Sequence, residues 1–76
     1  MYMFPNPASD VVHISSSKTI DALKIVNVEG KELHSLTPKF NVVDLNLKAI
    51  NINTSGIYFI YLKFDNQIIC KKLIID

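Results

Sequence analysis

Residues 57–75 read IYFIYLKFDNQIICKKLII, and this stretch decides the fold. Ile57 to Phe64 and Ile68 to Ile75 are two runs rich in branched and aromatic side chains, which predict β-strands. The Asp65-Asn66 pair between them is typical of a tight turn. We therefore expect the two strands to form an antiparallel hairpin.

A two-residue turn would fix the register of this hairpin and the direction of its side chains. It places Tyr58 opposite Leu73, Phe59 opposite Lys72 and Tyr61 opposite Cys70. Because side chains alternate between the two faces of a strand, the core face is predicted to hold Tyr58, Ile60, Leu62, Phe64, Ile69 and Leu73. Lys71 shares that face and has to extend its stem to the sheet edge, whereas Lys72 points outward beside Phe59.

The composition of the whole chain favours strands over helices. Isoleucine and valine together number seventeen, whereas alanine occurs three times. Branched side chains lose rotamer freedom in a helix and pack well on a pleated sheet. The chain is 49% apolar and 20% charged, which is typical of a globular protein, and its 76 residues are enough for one domain.

The remainder of the chain divides into further short strands. We predict strands over Val11–Ile14, Ile20–Val28, Lys31–Leu36 and residues 40–47, with a less regular extended piece over Lys48–Asn53. The serines at 15–17 are expected to end the first of these, and turns are expected at Glu29-Gly30 and Thr54-Ser55-Gly56. Several strands are apolar at both parities, which two sheets packed face to face explain better than one open sheet. The predicted fold class is therefore all-β, an antiparallel β-sandwich of six to seven short strands.

The chain offers few residues for catalysis or metal binding. His13 and His34 fall on different predicted strands, so no cluster of three or four metal ligands is visible. Gly30 and Gly56 are the two glycines, too few for a phosphate-binding loop, and no nucleophile-elbow pattern surrounds the serines. Cys70 lies in an apolar run and is predicted to be a small buried side chain, not a nucleophile. We expect no catalytic, cofactor or metal site, and no enzymatic activity.

Charge and hydropathy also exclude some partners. The net charge is +1, from eight lysines and no arginine against seven acids. This balance argues against nucleic acid or an anionic membrane as the main partner, since arginine is the side chain best shaped for phosphate. No apolar run approaches the ~20 residues that span a bilayer, and the first residues do not resemble a signal peptide.

The aromatic residues of the first hairpin strand leave a second hypothesis open. Phe59 and Tyr61 share a side and, with Lys63, form a modest exposed ledge on the sheet. Such a ledge fits a non-catalytic carbohydrate-binding or adhesive β-sandwich module, although a half-covered sheet face is the simpler interpretation. A third hypothesis, a fragment of an enzyme, requires residues outside this chain.

Three blocks stand out in order along nearly the whole chain. Residues 4–14 read FPNPASDVVHI, and their two prolines exclude regular structure at the start. Residues 23–33 read LKIVNVEGKEL, and the closing segments are SGIYFIYL at 55–62 and KKLII at 71–75. Together these blocks resemble the type A C-terminal sorting domains of the bacterial type IX secretion system. That family has a Tyr-Pro-Asn-Pro start, a central hairpin at Gly-Lys or Gly-Gln, a Gly-x-Tyr strand and a final Lys-Leu-Val/Ile-Val strand.

The sequence departs from this family pattern at two places. Phe4 replaces the usual tyrosine, which is a mild change. Residues 42–53 are longer than the common single segment and end in Asn53 where an apolar residue is frequent. The strand count in this region is therefore the feature that the resemblance leaves open.

The resemblance implies an Ig-like β-sandwich that acts as a removable address. Such a domain follows a cargo that has reached the periplasm by its own signal peptide, and the outer-membrane secretion translocon recognises it. A sortase-like peptidase then commonly removes it, and the cargo is anchored at the cell surface or released outside a Gram-negative bacterium. We accordingly interpret residues 1–3 as an added start or the end of a linker, and residues 4–76 as the sorting domain.

The same resemblance implies which residues carry recognition. The matching positions are Pro5, Asn6, Pro7, Gly30, Gly56, Tyr58, Lys72, Leu73, Ile74 and Ile75. Lys72 is the position that we expect to contact the translocon directly, since it is predicted to face solvent. No cofactor, metal or nucleic acid is implied.

Overall fold

The computed structural model of the chain describes residues 1–52 and 54–76. Seven β-strands form within these ranges, and no α-helix does. The strands are β1 (Tyr2–Phe4), β2 (Val11–Ile20), β3 (Ala22–Asn27), β4 (Glu32–Leu36), β5 (Phe40–Asn46), β6 (Gly56–Phe64) and β7 (Gln67–Ile75). The prediction of an all-β chain is confirmed.

The strands form two antiparallel sheets that pack into a sandwich. One sheet has three strands in the order β1-β2-β5, and the other has four in the order β4-β3-β6-β7. The core between them is almost entirely aliphatic, because apolar side chains of each sheet alternate inward. Both sheets contribute buried residues, including Val12, Ile14 and Leu45 from one and Ile25 and Leu62 from the other.

The hairpin of β6 and β7 has the predicted register. Tyr58 lies opposite Leu73, Phe59 opposite Lys72 and Tyr61 opposite Cys70. The two-residue turn brings Asp65 to a φ of 49°, a left-handed conformation that such turns require. The predicted core residues of β6 and Leu73 are buried, Ile69 packs against them in part, and Lys71 is exposed.

The first long strand does not end at the serines, contrary to the prediction. β2 runs through Ser15–Ser17 to Ile20, but its register with β5 shifts on the way. Ser15 lies opposite Val42 and Ile20 opposite Phe40, so residues 16–19 face the single residue 41. The Ser16 hydroxyl accepts the Lys18 N–H at 3.1 Å. The serines therefore support a bulge within the strand.

The predicted strand over Ile20–Val28 is divided in the structure. Ile20 ends β2, Asp21 follows it, and β3 begins at Ala22. β3 is an inner strand between β4 and β6, as expected. Val28 is exposed, because it belongs to the turn that Gly30 closes with a φ of 85°.

The piece after β5 is a single helical turn over residues 47–51, so the prediction of an extended segment is wrong over 48–51. The Asn46 side chain accepts the Ala49 N–H at 3.2 Å and caps the start of this turn. At its end Asn51 has a φ of 61°, and the Ile52 N–H donates to the Leu47 carbonyl at 2.8 Å. This pattern is a Schellman cap, in which a left-handed residue ends the turn and the N–H of the next residue bonds to a carbonyl five positions earlier. Asn53 lies outside the described residues.

The prediction that the Cys70 side chain is buried is also wrong. The thiol is exposed, because Cys70 alternates with Leu73 and Ile75 and so lies on the outer face of β7. Consecutive residues of a strand point to opposite faces of the sheet, so only alternate residues of this apolar run enter the core.

Candidate recognition surface along the last strand

The ten residues predicted for recognition come together at one end of the four-stranded sheet. Gly56 lies opposite Ile75, and Tyr58 lies opposite Leu73, where β6 begins and β7 ends. Gly30 follows β3, whose last residue pairs with Tyr58. The other five positions join this group along the outer edge of β7. Blocks that are far apart in the sequence therefore lie at the same end of this sheet.

The proline-flanked segment at the start of the chain lies against the edge of β7. Pro5, Asn6 and Pro7 are exposed, and the peptide bonds before both prolines are cis. Proline has no N–H and cannot add a regular donor to a ladder. The segment therefore meets the strand through the side chain of Asn6 and the backbone of Ala8.

Asn6 bonds to the backbone of β7 through both ends of its side-chain amide. Its Nδ2 donates to the Lys72 carbonyl at 2.9 Å, and its Oδ1 accepts the Ile74 N–H at 3.0 Å. Further along, the Ala8 N–H donates to the Ile74 carbonyl and the Asp76 N–H donates to the Ala8 carbonyl, both at 2.8 Å. These are the bonds of a parallel ladder. The Asn6 side chain thus takes the place of a peptide group in that ladder.

Ala8 allows this close approach of the two segments. It is fully buried and forms a parallel bridge with Ile75. A larger side chain would have to displace the core between the two sheets. The start of the chain and its last strand are therefore packed as one unit.

Four of the predicted residues are buried or half-buried and stabilise the fold. Tyr58, Leu73 and Ile75 are buried, and Ile74 is half-buried. The Tyr58 hydroxyl donates to the Thr54 carbonyl at 2.6 Å, which satisfies its polar end. These residues hold the end of the sheet in shape.

The two glycines shape the chain where it enters and leaves this region. Gly30 and Gly56 have φ values of 85° and 149°, conformations that glycine adopts without strain. In the turn before β4, the Asn27 side chain accepts the N–H groups of Glu29 and Lys31, each at 3.0 Å. The hairpin signal read from the sequence is thereby confirmed at Gly30.

Lys72 is exposed on the outer face of β7, beside Phe59 as the register requires. It is the predicted recognition residue with a charge, and none of the salt bridges in the described residues includes it. Together with Pro5, Asn6 and Pro7 it forms the accessible part of the region along β7. We call these four residues the β7 edge surface.

The aromatic ledge on the outer face is not open. The Lys24 Nζ lies 5.3 Å from the centre of the Tyr61 ring, a cation–π contact. Phe59 is half-buried and lies beside Val26, which is itself buried. A side-chain hydrogen bond with Cys70 raises the pKa of the Tyr61 hydroxyl. A sugar ring would have to displace Lys24 before it could stack on Tyr61.

The opposite sheet carries a pair that the sequence did not reveal. His13 Nδ1 and Asp44 Oδ1 are 2.6 Å apart, with both side chains partly in solvent. The Phe4 ring packs against His13 in a tilted arrangement, with a centroid distance of 5.3 Å and an interplanar angle of 39°. The three residues are cross-strand neighbours on β1, β2 and β5, so their side-chain contacts link the three strands of that sheet. Only the strand register, which sequence alone did not give, brings them into contact.

No group of three potential metal ligands occurs in the described parts of the chain, and no helix there is long and apolar enough to cross a membrane.

The chain is similar to known secretion proteins in sequence pattern and in fold. A family model described as "Secretion system C-terminal sorting domain" matches residues 2–76. A solved structure of PorZ, an essential bacterial surface component of the type-IX secretion system of human oral-microbiomic Porphyromonas gingivalis, is similar with a TM-score of 0.81 and 20% identity. The match covers 99% of this chain and 11% of the PorZ chain, and it shows a shared fold. No curated protein matches the chain significantly.

Proposed function

The chain belongs to the family of secretion system C-terminal sorting domains, and we propose that it takes a cargo protein from the periplasm through the outer membrane. Members of this family are sorting signals of the type IX system. The chain is accordingly part of a secreted protein that passes to the cell surface or outside, and it interacts with the type IX machinery.

The proposed partner is the outer-membrane secretion translocon of a Gram-negative bacterium. The translocon recognises the folded domain while the cargo, joined to its N-terminal side, is still in the periplasm. A sortase-like peptidase then removes the domain and attaches the cargo to the surface. Sorting domains are typically non-catalytic, and in this account the chain is a ligand of the machinery and has no reaction of its own.

One observation carries this proposal: Asn6 joins the opening block of the chain to its final strand. Its two hydrogen bonds to Lys72 and Ile74 make an exposed surface out of segments that are 66 and 68 positions apart. A partner that contacts the β7 edge surface reads both segments at once and therefore distinguishes a folded domain from an unfolded chain. The buried residues Tyr58, Leu73 and Ile75 act by maintaining that surface.

The proposal is tested by export of a reporter. Residues 1–76 are fused to the C-terminal end of a periplasm-targeted reporter enzyme in a host that has the type IX system. We expect reporter activity in the medium or on the cell surface. The reporter without the domain, and the fusion in a strain without the translocon, are expected to stay in the periplasm. Retention of a stable, folded fusion in the competent host would contradict the proposal.

A further inference from the structure

Only half of the outer edge of β7 is covered by the chain itself. β7 is the last strand of its sheet, and Asn6 and Ala8 pair with it from Lys72 to Asp76. Nothing in residues 1–52 and 54–76 pairs with the earlier part of this edge. We call the uncovered part, Ile68 to Lys72, the open edge.

The contacts of Asn6 identify the backbone groups that face outward. The carbonyl of Lys72 and the N–H of Ile74 point away from β6, because the Asn6 side chain binds them. In an antiparallel pair, successive residues alternate between facing the partner strand and facing away. Ile68 and Cys70 therefore face outward with both of their backbone groups, as does the N–H of Lys72. The open edge thus presents three donors and two acceptors in strand spacing.

We propose that the open edge is a strand-addition site, where an extended segment of the type IX machinery continues the ladder that Asn6 and Ala8 begin. The inference rests on the proposed function and names the mode of contact. The chain already shows that this edge accepts a parallel segment, since Ala8 forms regular ladder bonds with it. Added strands gain affinity from main-chain hydrogen bonds and specificity from alternate side chains.

The side chains around the open edge define the chemistry of the added strand. Ile68 is 68% exposed and Cys70 is exposed, and both face outward from the sheet. Lys63 lies opposite Ile68, while Lys71 and Lys72 follow Cys70 on the two faces of β7. Apolar side chains on the outer face of the added strand cover Ile68, and carboxylates on its other face pair with Lys71. The fitting occupant is an extended peptide in which apolar and acidic residues alternate.

The same lysines disfavour pairing between two copies of the domain. Two open edges placed side by side would bring two copies of Lys71 and Lys72 together, and like charges across a strand pair are destabilising. A lysine-bearing edge therefore selects an acidic partner over a second copy. Charge complementarity thus commits the site to a segment of another protein.

A proline at position 70 tests the proposal. The N–H of Cys70 faces away from β6, so Cys70→Pro removes no bond of the hairpin, and edge strands accept proline at such positions. The substitution removes one hydrogen-bond donor and places the proline ring where an added strand would pair. Export of the reporter fusion is therefore expected to fall about tenfold. Cys70→Thr keeps the N–H and is the matched comparison, expected to be exported better than Cys70→Pro because only the proline variant loses the donor. Ile68→Pro repeats the test at the other outward position.

Two measurements make the outcome decisive. Amide hydrogen exchange confirms folding, since the Ile74 N–H stays protected in every variant that retains the Asn6 contact. If both proline variants are folded and are exported at the unaltered level, strand addition at this edge is wrong. If the unaltered fusion itself is not exported, the proposed function fails instead, and a direct titration decides the strand-addition site.

In that titration the labelled domain receives the capped peptide Val-Glu-Val-Glu-Val-Glu. Chemical shift changes centred on the amides of Ile68, Cys70 and Lys72, and absent from Cys70→Pro, are the expected result. No change up to about 1 mM peptide, a free energy of only about −4 kcal/mol, would overturn the site.

Discussion

The backbone N–H of Ile74 donates to the side-chain Oδ1 of Asn6 at 3.0 Å, across 68 positions of the chain. The same Asn6 amide donates to the Lys72 carbonyl, so one side chain binds two consecutive outward positions of the last strand. Short polar side chains normally make such bonds with neighbouring residues. Here the bond joins the two ends of the domain, and it places the proline-flanked segment next to the lysine on which we base recognition.

Asn6→Ala is predicted to lower the free energy of unfolding by about 1–2 kcal/mol. It removes both bonds and leaves the Lys72 carbonyl and the Ile74 N–H without protein partners; access of water to this surface keeps the loss small. Urea unfolding measures the change, and hydrogen exchange of the Ile74 amide should accelerate.

Asn41→Ala is the matched control for that change. Asn41 is exposed on β5 and lies in the other sheet, so its replacement should alter stability by less than about 0.5 kcal/mol. Equal losses for Asn6→Ala and Asn41→Ala would show that the Asn6 bonds do not stabilise the domain.

The hairpin could be predicted from the sequence down to its register because its signals are local. Two apolar runs, a two-residue turn and strict alternation decide which residues of β6 and β7 face each other. The placement of Tyr58 in the core and Lys72 on the surface follows directly. The sandwich class follows from strands that are apolar on both faces.

Other features depend on contacts that sequence spacing does not specify. Serine is frequent in turns, yet Ser15–Ser17 continue β2 because Val42 and Phe40 of β5 pair on both sides of the bulge. The sequence pattern places Asn51 in an extended piece, although a left-handed asparagine also ends helical turns. The Asn6 contact depends on how the two sheets pack, so its partners could not be read from the opening block alone.

Tyr58→Ala is predicted to cost about 3–5 kcal/mol, because a large aromatic side chain leaves the core. That loss is comparable to the whole stability of a small domain. Tyr58→Phe removes only the hydroxyl that donates to Thr54 and should cost about 0.5–1.5 kcal/mol. Thermal unfolding of both variants measures the difference. A melting temperature for Tyr58→Ala equal to that of the unaltered chain would refute the burial of this face.

Substitution of either residue that caps the helical turn after β5, Asn46 or Asn51, should change the stability of the domain. Asn46→Ala removes the acceptor for the Ala49 N–H and is expected to cost about 1 kcal/mol. Asparagine tolerates a positive φ better than alanine does, so Asn51→Ala should cost about 1 kcal/mol. Glycine adopts this conformation without strain, so Asn51→Gly should change the stability little. Chemical denaturation of the three variants gives these values. An Asn51→Gly variant that is less stable than Asn51→Ala would contradict the left-handed conformation.

The Cys70 thiol should react in the folded protein. It lies on the outer face of an edge strand, so a thiol reagent should reach it at a rate similar to that in denaturant. Cys70→Ser should alter the free energy of unfolding by less than about 0.5 kcal/mol. A thiol that reacts only after unfolding would place Cys70 in the core instead.

The central claim is that the surface along the last strand is the part of the domain that the secretion machinery recognises. Export of the reporter fusion with Lys72→Glu tests it most directly, with Lys18→Glu, an exposed lysine of the other sheet, as the matched charge reversal. Both variants should remain folded and lose less than about 0.5 kcal/mol of stability. We predict that Lys72→Glu lowers the exported fraction by about tenfold, because a like charge opposes an acidic partner, while Lys18→Glu is exported normally. Export of folded Lys72→Glu at the unaltered level would contradict the claim and remove Lys72 from the recognised surface.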